Sequence, residues 1–258
     1  MAKHKPNAET LKRNTPKKEP YDRVLIVCED EKSATYYFEF LKNCYRLSSA
    51  NIEIAGKECG SSPKSVLEYA KKRKEEEIQN KNPFDKIFCV FDRDKHERYD
   101  ETVTKLKKLS NDNVWEKALI NSIPCFEYWY FLHFNNKAPL FQMYPGEGGS
   151  SIAVETELKK DIPNYDKSKN DQKMFHKLYN KLPFAIKYAK QFEKNNTDNP
   201  STKVYILVEY LQELNLPIAI KHAETLLSQA KENKTDNNTV RILEQYLKQL
   251  KEKQELKK

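Results

Sequence analysis

The run Val24-Leu25-Ile26-Val27-Cys28 is followed directly by the acidic residue Glu29. Five consecutive apolar residues are typical of a β-strand that is covered on both faces. A second predicted strand, residues 86–91, has the apolar run Ile87-Phe88-Cys89-Val90-Phe91 and is followed by Asp92-Arg93-Asp94. Strand and helix patterns alternate around both runs, which predicts an α/β fold with a parallel sheet flanked by helices.

The spacing of apolar and capping residues predicts the other elements. Ser33 is in position to cap a helix after the first strand, and Ser62-Pro63 is a typical helix start. Further strands are predicted at 52–55 and 118–120. Helices are predicted at 63–79, 100–109, 126–134, 152–160, 171–194 and 201–214, with two more within 216–258.

The composition indicates a soluble globular protein. The 258 residues are 38% hydrophobic, 33% charged and 11% aromatic, and the net charge is +8. No stretch of about 18 apolar residues is present, and the first residues lack the apolar run of a secretory signal, so we expect no membrane partner. Five cysteines without a C-x-x-C pair predict reduced thiols and a cytoplasmic location. The basic surplus favours polyanionic partners such as nucleic acid.

Four segments are predicted along the chain. Residues 1–20 are interpreted as a disordered basic arm, and 21–140 as the α/β core. Residues 141–215 form a helical part of the same domain, and 216–258 form a C-terminal helical extension. The amphipathic pattern of this extension fits a homodimer contact and a docking site for another protein equally well.

Three acidic residues follow the two buried strands. If the strands are neighbours, Glu29, Asp92 and Asp94 converge at the carboxyl edge of the sheet. Clustered carboxylates repel one another unless a cation neutralises them, and oxygen ligands of this kind suit Mg²⁺ or Mn²⁺. A metal held there can activate water and stabilise the leaving oxygen of a phosphodiester. The alternative is that Asp92 caps a helix and Glu29 is a surface charge.

Further candidate residues surround this edge. Glu127 lies in an aromatic helix, where a buried carboxylate needs a partner or a metal. It either faces the acidic cluster and assists catalysis or interacts with its own helix N-terminus. Lys32, Arg93 and Lys95 are candidates for binding substrate phosphate, with exposed surface cations as the alternative.

Three other residues of the aromatic helix are interpreted as packing residues. His133 is six positions from Glu127 and therefore lies on another helix face, which favours a packed, hydrogen-bonded histidine over a metal ligand. Trp129 and Tyr130 are of types that stack on bases. In so apolar a helix, however, core packing is the better interpretation.

A Glu after the first strand and a D-x-D after a later one resemble the Toprim pattern of topoisomerases, primases and certain nucleases. More specifically, the chain resembles the RloB family. The resemblance rests on four motifs in order, at residues 24–33 with Tyr37-Phe38, at 91–94, at 122–129 with 132–134, and at 199–202. It implies a Toprim-like (Rossmann-like) fold and a metal-dependent nuclease. It also implies a role in restriction-modification loci and abortive phage defence, often beside an ATPase.

Two positions depart from the family pattern. The family usually has Gly where Asp30 stands and an acidic residue where Ala34 stands, so a two-metal site is less well supported than a one-metal site. We predict a Mg²⁺- or Mn²⁺-dependent endonuclease that acts on DNA or RNA, tRNA included. The alternative is a non-catalytic nucleic-acid-binding or regulatory subunit that acts with an ATPase partner. A third alternative is a phosphohydrolase or glycosyltransferase that uses D-x-D to bind a nucleotide. It is disfavoured because His96 stands where the haloacid-dehalogenase pattern has Thr or Val.

Overall fold

The centre of the molecule is a five-stranded sheet with helices on both faces. In the computed structural model, the described residues are 21–93, 98–139, 149–195 and 198–257. The strand order is β2-β1-β3-β4-β5, in which the first four strands are parallel and β5 is antiparallel to β4. The strands are β1 (Val24–Cys28), β2 (Ile52–Ala55), β3 (Lys86–Asp92), β4 (Leu119–Ile123) and β5 (Ser201–Thr202).

Helices cover both faces of this sheet and then form a C-terminal helical region. They are α1 (Ser33–Cys44), α2 (Pro63–Gln79), α3 (Tyr99–Leu109), α4 (Glu127–Phe131), α5 (Gly149–Leu158), α6 (Gln172–Lys194), α7 (Val204–Leu214), α8 (Leu216–Glu232) and α9 (Asn237–Glu255). None of the helices in the described ranges is long and apolar enough to cross a membrane.

The continuous apolar run of β1 is explained by burial on both sides. All five residues of β1 are completely buried. Ile26 belongs to the core that includes residues of α1, α4, α6 and α7, whereas Leu25 belongs to the core that includes residues of α2. Because side chains alternate along a strand, a strand between two helical layers needs apolar residues at every position.

Most predicted elements are present. The predicted strand at 52–55 is β2, and Ser62 caps α2 by accepting a 3.2 Å hydrogen bond from the amide of Ser65. The α/β fold class is confirmed. The predicted aromatic helix at 126–134 is shorter than expected, since α4 has five residues. The predicted basic arm at 1–20 lies outside the described residues and stays a prediction.

The helix predicted to start at Ser201 begins instead at Val204, so this prediction was wrong. Ser201 and Thr202 form the edge strand β5, paired with Ile123 and Ser122. The Thr202 hydroxyl bonds the Ser122 hydroxyl at 2.9 Å and accepts the Val204 amide at 3.3 Å. Thr202 therefore ends the strand and also binds the first amide of α7, which local spacing could not show.

The C-terminal helices pack back onto the rest of the protein. Gln212 of α7 donates hydrogen bonds to the hydroxyls of Tyr45 at 3.0 Å and Tyr246 at 2.5 Å. Tyr246 and Leu250 of α9 belong to the main core cluster. All five cysteines are free thiols, as predicted, and four of them are buried.

Candidate functional site

The candidate site lies where the chain leaves β1 and β3 in opposite directions. After β1 the chain passes through α1 on one face of the sheet, and after β3 it passes through α3 on the other. Neighbouring strands with such divergent connections leave a crevice at their carboxyl ends, which is where open α/β sheets bind ligands. Glu29 and Asp92 lie at this crevice because Cys28 is in register with Val90.

Glu29 and Asp92 are joined by a hydrogen bond. The backbone amide of Asp92 donates to the Glu29 carboxylate at 2.9 Å. The Glu29 amide in turn donates to the carbonyl of Val90 at 2.9 Å. Both acidic residues are half-buried. The backbone thus brings two motifs 63 residues apart together, although their role as metal ligands stays a prediction.

The donor set at this edge suits a hard divalent cation. Magnesium is usually held by one or two carboxylates together with waters and substrate phosphates. Glu29 and Asp92 supply two carboxylates of that kind. Within the described ranges, no group of three or more His, Cys, Asp or Glu side chains is arranged to hold a metal. Asp94 and Lys95 lie outside the described residues, so their predicted roles stay predictions.

Asp30 caps α1, which corrects the prediction that Ser33 is the cap. The Asp30 carboxylate accepts hydrogen bonds from the amides of Ser33 and Ala34, both at 3.1 Å. Burial raises the pKa of Asp30, and the charge of Glu127 adds to this effect, while the amide hydrogen bonds lower it. Asp30, which stands where the family usually has Gly, therefore has a structural role at the start of α1.

Gly56 lies against the turn that Asp30 begins. A Cβ atom at this position would lie 2.8 Å from the carbonyl oxygen of Asp30. The same carbonyl accepts a 2.6 Å hydrogen bond from the hydroxyl of Thr35. Only glycine lets the loop after β2 approach this turn so closely.

Glu127 is buried and held by two hydroxyl groups. Only 4% of the residue is exposed. One oxygen of its carboxylate accepts hydrogen bonds from Ser33 at 2.7 Å and from Tyr165 at 2.9 Å. Tyr130 donates to the Ser33 carbonyl at 2.8 Å. These donors compensate the loss of water around the carboxylate.

The charges around Glu127 are dominated by carboxylates. Burial raises the pKa of Glu155, and the charge of Glu127 raises it further. The Lys167 ammonium lies 3.8 Å from the Glu155 carboxylate. Burial lowers the pKa of Lys167, but the charges of Glu127 and Glu155 outweigh this and raise it overall. Lys167 thus supplies positive charge beside the buried acids.

The predicted phosphate-binding residues Lys32 and Arg93 lie next to the acidic pair along the chain. The Arg93 amide donates to the Ser122 carbonyl at 2.9 Å, which extends the pairing of β3 with β4. The Arg93 guanidinium lies 5.8 Å from the centre of the Tyr99 ring. Lys32 directly precedes α1. Both cations are half-buried, and phosphate binding by either of them stays a prediction.

The family model for RloB-like proteins matches residues 24–211. The chain belongs to the RloB-like protein family. The matched range includes β1 to β5 and all residues of the site described above. No match was found among curated proteins or among solved structures.

His133 of this RloB-like protein is a packing residue, as predicted. It is 1% exposed, and its Nδ1 donates to the Trp129 carbonyl at 2.8 Å. Burial lowers the pKa of His133 to about 3, so its ring is neutral. Trp129 and Tyr130 are also almost completely buried, which confirms core packing rather than base stacking.

Sequence reasoning missed two hydroxyl donors of the RloB-like site. Ser33 was assigned to capping, although its hydroxyl binds Glu127. Tyr165 lies in the irregular segment between α5 and α6, where no periodicity marks it. The one available signal was indirect, since a buried Glu127 requires donors from elsewhere in the fold.

Proposed function

We propose that this RloB-like protein is a Mg²⁺- or Mn²⁺-dependent nuclease that hydrolyses phosphodiester bonds of DNA or RNA in bacterial defence against phage. The hydrogen bond from the Asp92 amide to the Glu29 carboxylate carries the proposal. It supports the proposal because it holds the Glu29 carboxylate against the first residue of the Asp92-Arg93-Asp94 motif, at the switch point of the sheet.

Glu29 and Asp92 would hold the divalent ion, together with Asp94. When bound, the ion polarises the phosphodiester and lowers the pKa of a coordinated water. The Asp92 amide fixes the orientation of the Glu29 carboxylate before any ligand arrives. A preorganised carboxylate loses less conformational freedom on binding than a mobile one.

The other residues have distinct roles in this proposal. Arg93 and Lys32 bind the substrate phosphate by charge-assisted hydrogen bonds. Glu127 assists indirectly, because the hydrogen bond that it accepts from Ser33 positions the first turn of α1. That turn carries the amides that bind Asp30, the neighbour of Glu29.

Metal-dependent cleavage tests the proposal. The purified protein should cleave labelled DNA or RNA, tRNA included, with Mg²⁺ or Mn²⁺ and stop when EDTA is added. Glu29→Gln and Asp92→Asn should lose cleavage and weaken Mn²⁺ binding measured by calorimetry. Glu116→Gln is the matched control, because this exposed acid pairs with Lys86 at the opposite end of β3. Equal activity of Asp92→Asn and wild type would refute the assignment.

The second candidate is a non-catalytic nucleic-acid-binding or regulatory subunit with an ATPase partner. The bonds of Asp30 and Glu29 to backbone amides favour it, because they stabilise the fold with or without catalysis. It predicts a protein that binds nucleic acid but neither cleaves it nor binds Mn²⁺ at millimolar concentration.

A further inference from the structure

A short part of the chain carries half of its net positive charge. Residues 159–181, which we call the basic segment, contain seven lysines, three aspartates and no glutamate. Their net charge is therefore +4, compared with +8 for all 258 residues. The lysines are Lys159, Lys160, Lys167, Lys169, Lys173, Lys177 and Lys181.

The three aspartates of the basic segment are engaged in local hydrogen bonds. Asp161 accepts from the Asn135 amide at 2.6 Å, and Asp171 caps α6 by accepting from the Lys173 amide at 2.9 Å. Asp166 binds Ser168 and lies 3.2 Å from the Lys169 ammonium. The three aspartates thus stabilise turns and a helix end. Lys169 pairs with Asp166, and Lys160 and Lys167 pair with Glu157 and Glu155, which precede the segment.

Three of the lysines form a row on α6. Lys173, Lys177 and Lys181, which we call the basic row, are exposed and spaced four residues apart. At this spacing, successive residues differ by about 40° around the helix and about 6 Å along it. Within the described part of the chain, none of the three takes part in an ion pair. The row is a positive array about 12 Å long that winds about 80° around the helix.

Two aromatic residues continue the basic row along α6. Phe184 and Tyr188 follow at helical spacing and are half-buried, with ring centres 6.4 Å apart. The Lys181 ammonium lies 5.3 Å from the centre of the Phe184 ring. Lysines beside partly exposed rings are typical of surfaces that hold a phosphate backbone and stack unpaired bases.

The basic segment is connected to the candidate site. Tyr165, in the middle of the segment, donates the hydrogen bond to Glu127. Glu127 also accepts from Ser33 in the α1 turn that Asp30 caps. The segment that leads into α6 therefore contacts Glu127, whose other hydroxyl donor lies in the first turn of α1, the helix that follows Glu29 in the chain.

We propose that the basic row binds the sugar-phosphate backbone of the nucleic acid, with unpaired bases reaching Phe184 and Tyr188. This inference rests on the proposed function, because it assigns a binding surface to the substrate of that site. A 12 Å array spans the phosphates of about three or four nucleotides, at about 3.4 Å per nucleotide along one strand. The row supplies affinity and direction rather than sequence specificity.

A salt titration with matched variants tests this inference. Fluorescence anisotropy measures binding of labelled single-stranded 20-mers of DNA and RNA to the full chain between 50 and 300 mM salt. Lys173→Ala/Lys177→Ala/Lys181→Ala should weaken binding at least about tenfold at 100 mM salt and reduce the salt slope by about 2. The charge-preserving triple Lys→Arg variant should restore binding.

The control is a triple variant on the opposite face of the sheet. Lys71, Lys107 and Lys108 lie exposed on α2 and α3. Changing all three to Ala removes the same charge and should change binding less than about twofold. Equal weakening by both triple variants would overturn the inference, because it would show that only net charge matters. No weakening by the α6 variant would also overturn it.

Two further comparisons separate this inference from its alternatives. If Asp92→Asn binds the 20-mers normally but does not cleave, the binding surface and the catalytic site are distinct. If the wild-type protein does not cleave nucleic acid but the α6 triple variant loses binding, the nuclease proposal fails and the proposed binding surface is supported. Poly-glutamate that competes as well as single-stranded RNA would show an acidic protein partner and overturn the inference.

Discussion

Glu29 and Glu127 are both carboxylates near one edge of the sheet, but they are held in different ways. Glu29 follows β1, is half-buried and accepts a hydrogen bond from the backbone of the neighbouring strand. Glu127 is 4% exposed and accepts hydrogen bonds from the hydroxyls of Ser33 and Tyr165. The first carboxylate is positioned by strand order and register, and the second by side chains from distant parts of the chain.

This difference suggests different roles for the two carboxylates. A half-buried carboxylate at a switch point remains within reach of a ligand and suits metal binding. A fully buried one with two hydroxyl donors is suited to fixing the elements around it. We therefore expect changes beside Glu29 to affect activity more than stability, and changes beside Glu127 to show the reverse.

The largest effect is expected at the acidic pair. Asp92→Asn keeps the backbone amide that binds Glu29 but removes one negative charge. Cleavage should fall at least about a hundredfold, while the free energy of unfolding changes by less than about 1 kcal/mol. Single-turnover cleavage and urea unfolding measure the two quantities. A large loss of stability without loss of cleavage would mean that Asp92 stabilises the fold and does not act in catalysis.

The second-largest effect is expected at the buried carboxylate of Glu127. Tyr165→Phe removes one of two hydroxyl donors to Glu127 and should lower the free energy of unfolding by about 1.5–3 kcal/mol. Urea unfolding followed by circular dichroism measures it. Tyr188→Phe is the control, because the half-buried Tyr188 hydroxyl makes no hydrogen bond within the described residues. Equal stability of Tyr165→Phe and wild type would mean that Glu127 does not depend on this donor.

A pH effect is expected from the same aromatic region. The pKa of His133 is about 3 in the folded protein, below its ordinary 6.5, so the unfolded state binds more protons between these values. The contribution of His133 to the free energy of unfolding is therefore fully present above about pH 6.5. It is lost as the pH falls toward 3, by about 1.4 kcal/mol per pH unit. His133→Asn should flatten this slope in urea unfolding at pH 4–7. His176→Asn, at an exposed histidine, is the control, and equal slopes for both variants would contradict the prediction.

The smallest effect is expected at Asp30, which follows Glu29 and binds the first amides of α1. Asp30→Ala removes the cap of α1 and should cost about 1 kcal/mol of folding stability. Asp30→Asn should cost less, because the amide oxygen still accepts from Ser33 and Ala34. Thermal unfolding of both variants measures the difference. If the two variants lose the same stability, the charge of Asp30 matters rather than its hydrogen bonds.

Elements with strong local signals were predictable from the sequence. Buried strands such as β1 have continuous apolar runs, and α2 has its cap and first-turn proline next to each other in the chain. The edge strand β5 was predicted as helix because its two residues depend on pairing with β4. Tertiary pairing of this kind overrides local propensity.

The candidate site was also predictable only in part. The acidic residues after β1 and β3 were visible because the carboxyl ends of parallel strands meet at one edge. The donors of Glu127 were not visible, because Ser33 and Tyr165 are 94 and 38 residues away from it. Contacts between distant residues leave no periodic pattern in a single sequence.

By itself, the sequence determined the α/β class, the acidic residues at the strand ends and the family motifs, because strands, turns and motifs are encoded by residues close together in the chain. Only the tertiary structure decided that Thr202 joins the sheet and that Ser33 and Tyr165 hold Glu127. The physical reason is that a buried polar group must be satisfied by whatever donor the packed fold brings to it, wherever that donor lies in the chain.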